Sequence, residues 1–164
     1  MTIRNTRLSF VAVHLEAHEG HEHYAARCSN LSSILGGARV GSKISRLYDA
    51  SVSSHHCFVC GDLNYRLDVP SPSKSPKMND SRATRKSLSN AESKAAHEIR
   101  FKDTMRLVRK KKWDTLKDYD ELTKALSSGD CLVGFKTPAC NFFPTFKVKK
   151  GVSGYIYDTR RIPR

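Results

Sequence analysis

The chain has 164 residues, 38% of them hydrophobic, with 29 Lys and Arg against 16 Asp and Glu and a formal net charge of +13. That length allows one domain or part of a larger one, and no run approaches the ~18 apolar residues of a membrane span. The first ten residues lack a secretory apolar run, and five cysteines (Cys28, Cys57, Cys60, Cys131, Cys140) are too few and odd in number for a disulfide scaffold, so a reduced, cytoplasmic protein is expected.

Leu8 to Leu15 predicts a strand, rich in β-branched and aromatic residues and free of breakers. It ends at His14, where an imidazole can donate a hydrogen bond or a proton. His18, His21 and His23 follow. They lack a second cluster at a zinc interval, so they read as solvated surface histidines. Tyr24 to Leu35 predicts a helix with Leu31, Ile34 and Leu35 on its apolar face, stopped by Gly36-Gly37. Residues 36–54 read as loop.

Cys57-Phe58-Val59-Cys60 predicts a second, buried strand running into Gly61. Gly61 lets the backbone bend without a side-chain clash. Beyond it stand Asp62 and Asn64, which extended spacing would place on one side. A carboxylate there can take a proton from water, and an amide can orient that water. Gly, Asp and Asn also form ordinary strand-ending turns.

Residues 68–98 combine three prolines, at 70, 72 and 76, with low hydrophobicity and positive charge. They read as a disordered basic insertion, either a tolerated solvated insert or a segment attracted to anionic lipid. Ala91 to Lys112 predicts a helix with Ile99, Met105, Leu107 and Val108 along its apolar stripe. Arg109 to Lys112 suit the C-terminus of that helix. Trp113, Leu116, Tyr119 and Leu122 recur at 3-residue steps, which predicts one helical packing face. Phe143-Pro144-Thr145 is a rigid lead into a loop. Residues 70–112 hold 13 basic against 4 acidic residues, and residues 136–164 hold 7 against 1. Two such blocks imply an anionic partner: nucleic acid, an anionic membrane surface or a polyphosphate.

Several of these runs together resemble a known family. Gly61-Asp62-Leu63-Asn64-Tyr65-Arg66 is similar to the signature of the inositol polyphosphate 5-phosphatases, within the DNase I-like endonuclease/exonuclease/phosphatase superfamily. His14-Leu15-Glu16-Ala17-His18, Trp113 to Leu122, Gly134-Phe135, Pro144-Thr145-Phe146-Lys147 and Tyr157-Asp158-Thr159 resemble further family runs in family order. Arg27 fits the family helix, whereas Cys28 and Asn30 depart from it, Glu121 stands for a usual Gln and Phe146 for a usual Tyr. Phe146 thereby lacks a hydroxyl that could donate to a phosphate, a bond worth about 1.5–3 kcal/mol.

The resemblance implies an α/β fold, a DNase I-like four-layer sandwich of two β-sheets flanked by helices, here incomplete at both ends. It implies Mg²⁺-dependent hydrolysis of the 5-phosphate monoester of phosphoinositide lipids or soluble inositol polyphosphates. Asp62 would activate water, Asn64 would orient it, and His14 would sit beside the scissile phosphate. Lys147, Arg160 and Arg161 would bind neighbouring phosphates, while Arg66 would anchor the loop and Arg164 belong to a basic tail. The family's Mg²⁺-binding glutamate, its Trp-x-Asp-Arg run and its Ser-Asp-His run are absent from these 164 residues. The chain is therefore expected to be the middle of the catalytic domain, with exposed sheet edges and an exposed apolar face, and inactive by itself. Peripheral contact with anionic membranes fits the charge. A nuclease of the same fold and a non-catalytic basic module binding anionic lipid are the alternatives, with Tyr65-Arg66 and Pro144 to Lys147 arguing against nucleic acid.

Overall fold

The β-branched and aromatic residues Thr6, Phe10, Val11 and Val13 favour an extended N-terminal segment. In the computed structural model, which describes residues 1–41, 47–70 and 90–164, strand β1 (Thr2–Ile3) turns back antiparallel onto β2 (Thr6–His14). Helix α1 (His21–Gly37) then leads to β3 (His56–Asp62), which lies parallel to β2. Parallel strands need a crossover of this kind. The sheet order is β1-β2-β3, and the parallel register runs from Leu8 opposite His56 to His14 opposite Asp62. After the sheet come α2 (Asn90–Arg109), α3 (Trp113–Asp118) and α4 (Glu121–Ser128).

The chain divides into two compact units, each discontinuous in sequence. The first comprises residues 1–66 and 121–137. Its core gathers Val13 and Leu15 from the end of β2, Cys28 and Leu31 from α1, and Tyr65, Ala125, Cys131 and Leu132. The opposite face of the sheet shows Phe10 stacked on Phe58, with ring centroids 5.1 Å apart, and these two side chains are 59% and 48% exposed. The expected exposed apolar face is therefore present. The second unit comprises residues 67–120 and 138–164. Val69, Val108, Leu116, Tyr157 and Ile162 are buried in it. Trp113 meets Phe143 edge-on, and Phe143 stacks on Tyr155.

Four expectations change. The strand read as buried over Cys57 to Cys60 holds no buried residue: Phe58 and Cys60 are exposed and Cys57 and Val59 only half-buried, because among the described residues β3 is the edge strand of the sheet. The insertion read over residues 68–98 ends earlier, because 90–98 form the first turns of α2, where Glu92, Lys94, Ala95 and Ala96 are strong helix formers. Residues 71–89 of that insertion lie outside the described residues. The 3-residue steps from Trp113 to Leu122 do not lie on one helix: α3 stops at Asp118, and Asp120 forms an isolated bridge to Leu67 before α4 begins. The backbone bond from the Asp68 N–H to the Tyr119 carbonyl supports that break. Finally, His23 is half-buried, its ring 3.1 Å from the Glu16 carboxylate, rather than simply solvated. Among the described residues no helix is long and apolar enough to cross a membrane.

Candidate active site

Gly61 fixes the geometry at the end of the sheet. Its φ of +122° favours glycine, and a Cβ there would lie 2.1 Å from the Val13 carbonyl oxygen. The missing side chain thus lets β3 approach β2 closely at the register step before His14 and Asp62. Those two side chains end up side by side, with His14 Nε2 4.0 Å from Asp62 Oδ2. Both are open to solvent, at 79% and 53% side-chain exposure.

Asn64 departs from the expectation of a shared side with Asp62. The Asn64 N–H donates to Asp62 Oδ1 at 3.0 Å, a local turn that competes with extended chain, and Asn64 adopts φ +55°. The turn carries Asn64 inward until it is 6% exposed. There its Nδ2 donates to the Leu15 carbonyl at 2.9 Å, and its Oδ1 accepts from Arg66 Nη2 at 3.3 Å. Both ends of the amide are committed within the chain. The Leu15 N–H also donates to the Asp62 carbonyl, so the two strand ends are tied together. Arg66 Nε donates to the His18 carbonyl, in keeping with its reading as the loop's anchor.

Behind this edge lies a buried polar cluster that sequence reading did not find. Arg27 is fully buried, and its Nη2 donates to Glu121 Oε2 at 2.7 Å. The same carboxylate oxygen accepts from the Arg66 N–H at 2.8 Å. Arg27 Nη1 reaches the carbonyls of Glu16 and His18, and its guanidinium lies 5.4 Å from the Tyr65 ring centre. The Tyr65 hydroxyl sits 2.9 Å from Cys131 Sγ and 3.5 Å from Cys28 Sγ. Burial, aided by both thiols, holds Tyr65 well above the usual phenol range. Burial pushes the Cys131 thiol up to about 11. These are rigid supports for the loop, not reactive groups. The sequence marked Arg27, Cys28, Tyr65, Arg66 and Glu121 singly, as positions of separate runs, but gave no sign that they meet.

In the second unit, Asp158 is the organising residue. Its carboxylate accepts from Arg160 Nε at 2.9 Å and Nη2 at 2.7 Å, and from the Arg160 N–H at 3.0 Å. Lys147 Nζ lies 3.5 Å away. The Arg160 side chain, chiefly through its hydrogen bonds, holds the Asp158 carboxyl far below the usual carboxylate range. Of the three expected phosphate-binding cations, Lys147 and Arg160 are thus brought together on Asp158. The Arg161 side chain is exposed, and only its N–H bonds back to the Asp158 carbonyl. Arg164 is not a loose tail: it pairs by backbone bonds with Phe146 and packs 4.8 Å over that ring.

Magnesium prefers six oxygen ligands in octahedral array. Among the described residues no three His, Cys, Asp or Glu side chains gather to hold a metal, and Asp62 offers its edge a single carboxylate. This donor set by itself does not fit a complete Mg²⁺ shell.

The sequence profile of the endonuclease/exonuclease/phosphatase family 2 matches residues 1–164. Among curated proteins, the chain is 25% identical over 151 residues to phosphatidylinositol 3,4,5-trisphosphate 5-phosphatase 2B of Danio rerio, covering 92% of this chain and 10% of that protein. It is 28% identical over 166 residues to type I inositol polyphosphate 5-phosphatase 2 of Arabidopsis thaliana, covering 99% and 21%. Type I inositol polyphosphate 5-phosphatase 1 of the same plant is 22% identical over 165 residues, covering 96% and 22%. The chain thus spans about a fifth or less of the length of the curated relatives it matches.

Proposed function

The chain belongs to the endonuclease/exonuclease/phosphatase family, and from that membership we propose that it is the central part of an inositol polyphosphate 5-phosphatase domain. The whole protein would hydrolyse the 5-phosphate monoester of a phosphoinositide or a soluble inositol polyphosphate. The relatives' printed names support the substrate class. The observation that carries the chemistry is the exposed His14–Asp62 pair, 4.0 Å apart at one sheet edge. In this reading Asp62 takes the proton of the attacking water. His14 donates to the phosphoryl oxygens as charge develops on them. Asn64, buried and committed at both ends of its amide, positions Asp62 rather than touching water. For Lys147, Arg160 and Arg161 we propose phosphate binding, for which a guanidinium fork is suited. Mg²⁺ is proposed as the cofactor of the whole protein only. The whole domain is proposed to be the four-layer sandwich, to which the described residues contribute a three-stranded sheet. A cytoplasmic setting goes with this substrate class.

Phosphate release by the full-length protein from inositol phosphates and from phosphoinositide vesicles tests the proposal. Asp62→Ala and His14→Ala should each lower turnover about 100-fold or more. Near-normal turnover in either variant removes that residue's role. Incision of abasic DNA without phosphate release would move the protein to a nuclease branch of the same family.

A further inference from the structure

One face of α2 carries two parallel rows. Phe101, Met105 and Arg109 stand at i, i+4 and i+8, and Lys102, Arg106 and Lys110 stand one residue on. Helical spacing stacks each row along the axis, so an apolar strip ending in a cation runs beside a cationic strip. Both strips line a cavity of about 560 Å³ in the second unit. Its other wall holds Lys149, Tyr155 and Ile156. Tyr155 is 61% exposed and Ile156 45%, so apolar surface reaches the mouth. On the helix, Lys102 is paired with Glu98 and Arg106 with Asp103. Among the described residues, Arg109, Lys110 and Lys149 form no ion pair.

The size falls within the small-ligand range. An aromatic and thioether floor accepts a flexible apolar body, and the cations beside it accept a phosphate. Exposed Tyr155 and Ile156 at the rim suit the boundary between head groups and acyl chains. The net charge of +13 draws the whole chain to an anionic surface. We propose that this cavity is a binding site for an anionic phospholipid, with the phosphate at Arg109, Lys110 and Lys149 and the upper acyl chain against Phe101, Met105 and Ile156. The site is independent of the His14–Asp62 pair and does not rest on the hydrolytic reading.

Vesicle co-sedimentation of the 164-residue chain provides the test, with phosphatidylserine-containing vesicles against pure phosphatidylcholine. Arg109→Gln/Lys110→Gln/Lys149→Gln should weaken partitioning about 100-fold. Arg7→Gln/Lys117→Gln/Lys124→Gln removes as many charges outside the cavity and should weaken it far less. Tyr155→Ser/Ile156→Ser leaves the charge unchanged and should still cost about ten-fold. Far-UV circular dichroism checks that each variant is folded, and the last pair is exposed enough to be tolerated. Soluble glycerophosphate in excess should not displace the chain. Equal losses from the two charge-removing triples, or unchanged binding by the serine pair, would overturn the proposal. So would tight binding to RNA with none to vesicles.

Discussion

Glu121 Oε2 accepts from both Arg27 and the Arg66 N–H. Removing one partner of a buried pair leaves the other charge uncompensated, at about 3–5 kcal/mol. Glu121→Ala should therefore lower the melting temperature by about 10 °C. Glu121→Gln keeps an acceptor oxygen and should lose less than half as much in the same melting series. Equal losses would mean that the carboxylate charge, not the acceptor, holds the loop. Asp158 calls for a pH argument. Its folded pKa lies below the unfolded value, so it stabilises the folded state above about pH 3.9 and loses that contribution as pH falls. Urea midpoints taken from pH 7 to pH 3 should fall more steeply in the wild type than in Asp158→Asn, which lacks the titrating group. Parallel curves would mean that the Arg160 contacts contribute no stability.

At the scale of the element, β2 and β3 meet through a glycine. A Cβ at Gly61 would collide with the Val13 carbonyl, which is backbone and cannot swing aside. Positive φ adds strain for any other residue. Gly61→Ala should therefore destabilise the chain by about 2 kcal/mol or more. It should also widen the His14–Asp62 edge. Chemical denaturation checks the first effect, and in the full-length protein a loss of turnover exceeding the loss of folded fraction checks the second. A variant as stable as the wild type would mean that the strands part there without cost. The helices show a different dependence. α2 follows from its local composition and so was legible, whereas the break between α3 and α4 depends on Asp120 meeting Leu67, 53 residues earlier in the chain, and a period of three residues gives no hint of it.

Across the molecule, local signals were readable and distant ones were not. The two strands and the glycine turn follow from runs of a few residues, whereas the His14–Asp62 edge joins positions 48 apart through the parallel pairing of β2 with β3. The burial of Asn64 depends on one hydrogen bond that decides between turn and strand. Arg27 and Glu121 are 94 positions apart, and Tyr65 and Cys131 are 66 apart, so only the folded chain reveals them. The exposed sheet face has its own consequence. Phe10 and Phe58 form a stacked apolar patch, while a charge of +13 keeps copies apart. Repulsion reaches about 30 Å at 0.01 M salt and about 3 Å at 1 M, but the attraction between apolar faces does not weaken with salt. Light scattering of the chain should therefore rise steeply between those salt concentrations. Phe10→Ser/Phe58→Ser should flatten that rise without changing the circular dichroism spectrum. An unchanged salt response in the double variant would place the sticking surface elsewhere on the chain.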